Sequence, residues 1–322
     1  MKYFYSILLL IFFAGIISAK GKNKETTYTT EGKFVYDASL SANGKVIICT
    51  DNTALKAFSV TTGNLIGSFT GGHRSKVLCV AQSPDSTMVA SGGSDSTVVL
   101  WDYLTRSIIQ RITFATGKIT SIKFSPDNQF ILFGCSNSPA YLYDLKEHKK
   151  INEFIDQKMD VTSVAFSPNG SLIAIAGGDK IIRLYNSADF QLRTELKGHT
   201  NWVRSICFYN NGQNLISCGD DNKIIQWNLS KGNFSKMNTL KDWILCVDIL
   251  NNASNKSNMF VFGTMNGSIT IKYAYGFYKA KLNSPVSKVL ILPTQSGLIE
   301  IAVATLGSGL IQLHAVDMKV SD

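Results

Sequence analysis

The amino-acid sequence predicts an all-β fold: a seven-bladed β-propeller of four-stranded antiparallel blades, closed by an N-terminal strand in the last blade. Three observations lead there. Turn-like segments recur every 42 residues, at Ser41-Ala-Asn-Gly, Ser83-Pro-Asp-Ser, Ser125-Pro-Asp-Asn, Ser167-Pro-Asn-Gly and Tyr209-Asn-Asn-Gly. Eighteen residues after the last four of these stand Trp101-Asp102, Tyr143-Asp144, Tyr185-Asn186 and Trp227-Asn228, while Phe58-Ser59 comes one residue early in the first unit. Between the landmarks lie short runs rich in Val, Ile, Leu and Thr with period-two stretches, as in Val77–Ser83, Met88–Ser91, Thr97–Tyr103 and Ser107–Phe114, which reads as a four-stranded meander. A sheet this small buries too little alone. Such units stack face to face, and radial closure removes the long exposed edges.

Composition is consistent with this fold and removes others. The 322 residues are 45% hydrophobic, 11% aromatic and 17% charged, enough to fill a core and far from a disordered composition. Six prolines, 25 glycines without a three-residue period and six cysteines exclude a collagen-like rod, a Pro-rich linker and a small disulfide scaffold.

Taken along the chain, residues 1–19 come first. Lys2, the apolar run Ile7–Ile17 and the small residues Ser18 and Ala19 have the pattern of an export signal, which places the mature protein outside the cytoplasm, secreted or periplasmic. The run is shorter than the roughly 20 apolar residues of a spanning helix. An uncleaved anchor is the alternative, and membrane contact is expected only in that case. Residues 20–33 form a linker that carries a candidate closing strand, Glu25–Glu31, rich in β-branched residues. The propeller itself is expected over residues 34–319. Its sixth unit is diverged, with an insertion around Asn252–Asn258 and Tyr273 at the aromatic position. Val247-Asp-Ile-Leu and Val289-Leu-Ile-Leu recur at first-strand positions and give the count of seven. Unit seven runs out after three strands, so another segment must complete it. The N-terminal segment is expected to do so, the alternative being a plain linker.

With these landmarks in place, the sequence resembles the WD-repeat β-propellers from residue 34 to about 317. Unit two has Gly72-His73, Ser91, Asp95 and Trp101; unit five has Gly198-His199, Ser217, Asp221 and Trp227. The resemblance implies that each quartet is a structural hydrogen-bonded chain. The chemistry suits one, because an indole N–H only donates, a carboxylate only accepts, and His and Ser link the two. Units three and four lack the His and end in Tyr143 and Tyr185.

No enzyme, cofactor or metal site is expected. The histidines, His73, His148, His199 and His314, are far apart in sequence, and there is no HExxH, CxxC pair, Gly-x-Ser-x-Gly elbow or Walker loop. The cysteines fall in apolar runs and read as buried free thiols, although export would permit disulfides. Six Asn-x-Ser sequons, at Asn169, Asn228, Asn233, Asn252, Asn255 and Asn266, carry little weight in an Asn- and Ser-rich chain. The balance of 32 Lys+Arg against 23 Asp+Glu gives +9. With six arginines and dispersed lysines, no nucleic-acid partner is expected.

The resemblance instead implies a scaffold binding protein or peptide partners on one face of the disc. Register puts the candidates just before and early in each first strand: Phe34 and Tyr36, Lys76, Lys118, Trp202 and Arg204, and Trp243. Trp202 and Trp243 are expected side by side near Arg204 and Asp220, in the manner of an interface hot spot, or else merely sealing the blade edges. Two other functions remain open. An exported enzyme with a cross-blade site would gather carboxylates or histidines in the central channel. A binder of acidic or polyanionic surfaces would bring lysines from non-adjacent units together.

Overall fold

A computed structural model of the chain describes residues 26–28, 30, 34–250, 258–273, 276–292 and 299–315. The export segment 1–19, most of the linker 20–33, the insertion up to residue 257 and the tail 316–322 lie outside them. Every regular element among the described residues is a β-strand, and the strands form seven four-stranded antiparallel sheets. Within blade two the order runs Val77–Gln82, Met88–Gly93, Val98–Asp102 and Ile108–Ile112, each strand pairing with the next. The first strand of each blade is innermost. It contacts the first strands of the neighbouring blades, and Val286–Leu292 of blade seven contacts Ala38–Leu40 of blade one, which closes the ring.

The recurrent turn explains its own sequence. In unit two the Ser83 hydroxyl donates to Asp85 Oδ1 at 2.6 Å and accepts the Met88 N–H at 2.9 Å, tying the turn shut. Ser125 with Asp127 and Ser167 with Asn169 repeat the arrangement. The fourth turn residue is left-handed in all five units: Gly44, Ser86, Asn128, Gly170 and Gly212 have φ between +58° and +84°. Glycine adopts that conformation without strain, and Asn tolerates it better than most residues. The 42-residue spacing of Asn/Asp-x and Gly residues is therefore a spacing of backbone conformations.

The core lies between blades. Among the described residues seven apolar clusters occur, one at each junction of adjacent blades. The cluster between blades one and two, for instance, packs Ile48, Leu55 and Phe69 against Val80, Val89 and Trp101. No sheet is stable by itself, because each hides its two faces only against its neighbours.

The last blade is completed from the other end of the chain. Thr26–Tyr28 pairs antiparallel with Gly309–Ala315, in the register Thr26 with Gln312, Thr27 with Ile311 and Tyr28 with Leu310. Tyr28 is 2% exposed, and its ring meets Phe58 of blade one edge-on at 5.2 Å. The closing strand thus also seals the junction between the last and first blades.

Candidate functional site

Blades two and five carry the two quartets. In blade two Trp101 Nε1 donates to Ser91 Oγ at 2.8 Å, Ser91 Oγ lies 2.8 Å from His73 Nε2, and His73 Nδ1 lies 3.1 Å from Asp95 Oδ1. One assignment satisfies every group. The Ser hydroxyl, having accepted the indole N–H, donates to Nε2, and the Nδ1–H donates to the carboxylate. Burial pushes the His73 pKa down against the pull of Asp95, which favours this neutral ring. Blade five repeats the chain through Trp227, Ser217, His199 and Asp221 at 2.8, 2.7 and 2.9 Å. The glycine before each His is a close-approach residue: a Cβ on Gly72 would lie 2.3 Å from the Trp101 ring, and one on Gly198 2.9 Å from Trp227.

Burial raises the Asp221 carboxyl, but the His199 ring and the backbone N–H groups of Thr200 and Lys223 outweigh it and hold the pKa at about 2. A carboxylate held below its ordinary value of 3.8 stabilises the fold above that value, and the contribution is lost as pH falls toward 2. His73 works in the opposite chemical sense with the same sign: its stabilisation is present above pH 6.5 and declines below it, as the unfolded chain takes up the proton first. The melting temperature of the wild type should therefore fall more steeply between pH 4 and pH 2 than that of Asp221→Asn. Parallel curves would show that the carboxylate is not the titrating group.

Around Tyr143 and Tyr185, the aromatics of blades three and four that correspond to Trp101, other side chains gather. Gln110 Nε2 donates to the Tyr143 hydroxyl at 2.7 Å, with Phe114 stacked on Tyr143 at 6.2 Å. In blade four Arg183, 3% exposed, pairs with Asp179 at 2.5 Å and lies 3.2 Å from Glu195, while the Tyr185 hydroxyl donates to Asp156 at 2.9 Å. Sequence reasoning missed Arg183 and Asp156. The available signal was an Arg in the buried register of Ile181–Asn186, four residues after the turn Asp.

The rim residues occupy equivalent backbone positions. The carbonyls of Lys76, Lys118, Trp202 and Trp243 accept the N–H groups of Ser94, Ser136, Asp220 and Met265 at 2.8–3.0 Å. Lys76 and Lys118 are exposed, Phe34 is 52% exposed, and Tyr36 is half-buried, with its hydroxyl 3.4 Å from Lys76 Nζ. Arg204 lies over Trp202, its guanidinium carbon 4.8 Å from the ring centre, and is forked onto Asp220 at 2.8 and 2.5 Å. The expected side-by-side indoles are not found. Trp202 leans the other way, onto Gly178 of blade four, where a Cβ would lie 2.9 Å from the ring and the missing side chain leaves room. Trp243 stands apart at 45% exposure, and among the described residues no ring contact joins the two.

Below this rim the seven inner strands line a channel of about 560 Å³. Asp37, Lys123, Asp248 and Lys288 enter it from blades one, three, six and seven. Both carboxylates latch neighbouring blades: Asp37 accepts the Val80 N–H at 3.0 Å and Asp248 the Ile291 N–H at 2.8 Å. The Cys207 thiol, also in the channel, is pushed up to about 12 by burial and by Asp248. It stays protonated and a poor nucleophile. All six cysteines are free thiols, five of them buried. Among the described residues no group of three or more His, Cys, Asp or Glu side chains is placed to hold a metal ion.

Comparison with known proteins agrees with this architecture. The family described as the second β-propeller of echinoderm microtubule-associated proteins matches residues 77–243, just over half of the chain. WD repeat-containing protein 1 of Gallus gallus is 33% identical over 85 residues, 26% of this chain and 12% of that protein. Its Mus musculus counterpart is 30% identical over 86 residues, 27% and 12% of the two chains. WD repeat, SAM and U-box domain-containing protein 1 of Danio rerio is 33% identical over 78 residues, 24% of this chain and 16% of that protein. These alignments cover about two repeats and a small fraction of each relative. With seven blades in a ring and the family match across blades two to five, the chain belongs to the WD-repeat β-propellers.

Proposed function

We propose that the protein is an exported, non-catalytic scaffold that binds a protein or peptide on the rim centred on Trp202, Arg204 and Asp220, flanked by Trp243. A WD-repeat propeller suggests an interaction scaffold. The observation that carries the site is the stacked and forked arginine. Asp220 holds the guanidinium over the indole, so a half-buried aromatic ring and a charged edge are presented already ordered, and a partner binds them with little loss of side-chain entropy. The microtubule association named in the matching family belongs to those proteins; the partner proposed here is a protein or peptide of unassigned identity. Export rests on the pattern of residues 1–19, and mass spectrometry of the native protein should find a mature N-terminus near Lys20 outside the cytoplasm. Recovery of Met1–Ala19 on a cytosolic form would remove that part of the reading.

Pull-down from the exported fraction provides the test of the rim. Trp243→Ala should weaken capture of the partner by about 2 kcal/mol or more while leaving the melting temperature nearly unchanged, since the side chain is almost half exposed. Trp202→Ala should weaken capture and also lower stability, because the ring packs on Gly178. Unaltered capture by both variants would move the binding site elsewhere.

A further inference from the structure

The six Asn-x-Ser sequons differ in what each asparagine does in the fold. Asn252 and Asn255 lie outside the described residues. Asn169 Oδ1 accepts the Ser167 hydroxyl at 2.7 Å and the Ser171 hydroxyl at 2.9 Å, tying the turn between the first two strands of blade four. Asn228 Oδ1 accepts the Ser230 hydroxyl at 2.8 Å and the Lys231 N–H at 2.9 Å. Asn266 Oδ1 accepts the Thr264 hydroxyl at 2.8 Å and the Ser268 N–H at 3.1 Å. In blade two the equivalent positions hold Asp85, Asp102 and Asp95, which accept the Ser83 hydroxyl, the Thr105 N–H and the Thr97 N–H in the same way where no sequon exists. Turn geometry therefore accounts for these three asparagines, and a sequon arises there as a by-product.

Asn233-Phe234-Ser235 is different. It opens Asn233–Thr239, the outermost strand of blade five, which has no strand beyond it. Asn233 and Ser235 are both exposed, and among the described residues neither side chain bonds to another protein group. The fold does not require an asparagine at this position, which holds Ser107, Lys149 and Gln191 in blades two, three and four. Side chains alternate along a strand, so Asn233 and Ser235 share one face while Phe234 turns to the other, where its ring lies 5.0 Å from that of Trp227. Asn233 pairs with Asn228 at one end of the hairpin. The turn at the other end carries Asp220, whose N–H reaches the Trp202 carbonyl of the binding rim. Five residues of strand, about 17 Å, separate the sequon from that rim.

We propose that Asn233 is an N-glycosylation site, an inference that rests on the export read from residues 1–19. The glycosyl donor is an oligosaccharide carried on a lipid diphosphate. The Asn233 amide nitrogen forms a bond to the anomeric carbon, and the bond from that carbon to the diphosphate oxygen breaks. The lipid diphosphate leaves with the electron pair, and the amide gives up one proton to a base of the transferring enzyme. Ser235 supplies the hydroxyl that the acceptor motif needs. Attached there, the glycan stands beside the unpaired edge of blade five, blocks its pairing with a strand of another molecule and leaves the Trp202 rim open.

Native protein provides the test, digested and treated with an N-glycan-releasing amidase in heavy-oxygen water, which converts a glycan-bearing Asn into labelled Asp. The peptide containing Asn233 should carry the label, and the same digest should show the mature N-terminus near Lys20. Asn233→Gln and Ser235→Ala should each lose one glycan from the intact mass. Both side chains are exposed and unbonded, so either variant folds and is still exported. An exported chain with its mature N-terminus and an unlabelled Asn233 overturns the inference and leaves export standing. A cytosolic chain that retains Met1–Ala19 and carries no glycan overturns both. Label at Asn233 that persists in Ser235→Ala marks simple deamidation and overturns the glycan alone.

Discussion

A mature chain lacking residues 20–32 should lose its monomeric form and aggregate, with a melting temperature well below that of the full chain. The deletion removes Thr26–Tyr28 and leaves Gly309–Ala315 as a bare strand edge, a template for pairing with other molecules. It also removes Tyr28 from the junction where it packs among Val35, Phe58 and Leu310. Tyr28→Ala separates the two effects. It keeps the backbone ladder and deletes a side chain that is 2% exposed, at a cost of about 3–5 kcal/mol by analogy with other large-to-small core changes. Size-exclusion chromatography and thermal melting decide the matter. If the truncated chain elutes and melts like the full one, the strand contributes nothing to closure.

Asp221→Ala is expected to destabilise the fold by about 3 kcal/mol, the upper part of the range for a buried donor left without its acceptor. Three donors lose their partner at once: the His199 ring N–H at 2.9 Å, the Thr200 N–H at 2.9 Å and the Lys223 N–H at 3.1 Å. Asp95→Ala in blade two should cost less, since Asp95 is more exposed, with side-chain exposures of 12% against 2% for Asp221. Chemical denaturation of both variants checks the order. An Asp221→Ala chain of unchanged stability that no longer captures its partner would turn the quartet from a structural device into a binding one.

These two groups of residues were legible in the sequence for the same reason. The closing strand and the quartets are tied to local patterns: a β-branched run of the right length, and four residue types at a spacing that repeats between units. The inner channel was not legible. Asp37, Lys123, Asp248 and Lys288 come together from four blades, each a lone charge in or just before an otherwise apolar or neutral strand, and no pattern within one unit marks them. Register did locate the rim residues, because equivalent positions share a backbone geometry. It failed for the direction of Trp202, which is set by the absence of a side chain at Gly178, on a different blade. Blade four shows the same limit. Arg183 takes over the interior with Asp179 and Glu195, a solution that the pattern of its neighbours does not predict.

The pairing of Thr26–Tyr28 with Gly309–Ala315 also orders events in time. The segment that completes the ring is synthesised before all seven blades, and its partner belongs to the seventh. Blades two to six can assemble on one another as they emerge, since each meets its neighbour within about one repeat of chain. The final join spans all seven blades, so the entropy of bringing its two strands together is overcome only after the other junctions have formed. Throughout that interval the early strand must be kept from pairing with the wrong edge. Its shortness, three residues in the ladder, makes any premature pairing weak and reversible until Tyr28 finds its enclosed place against Phe58.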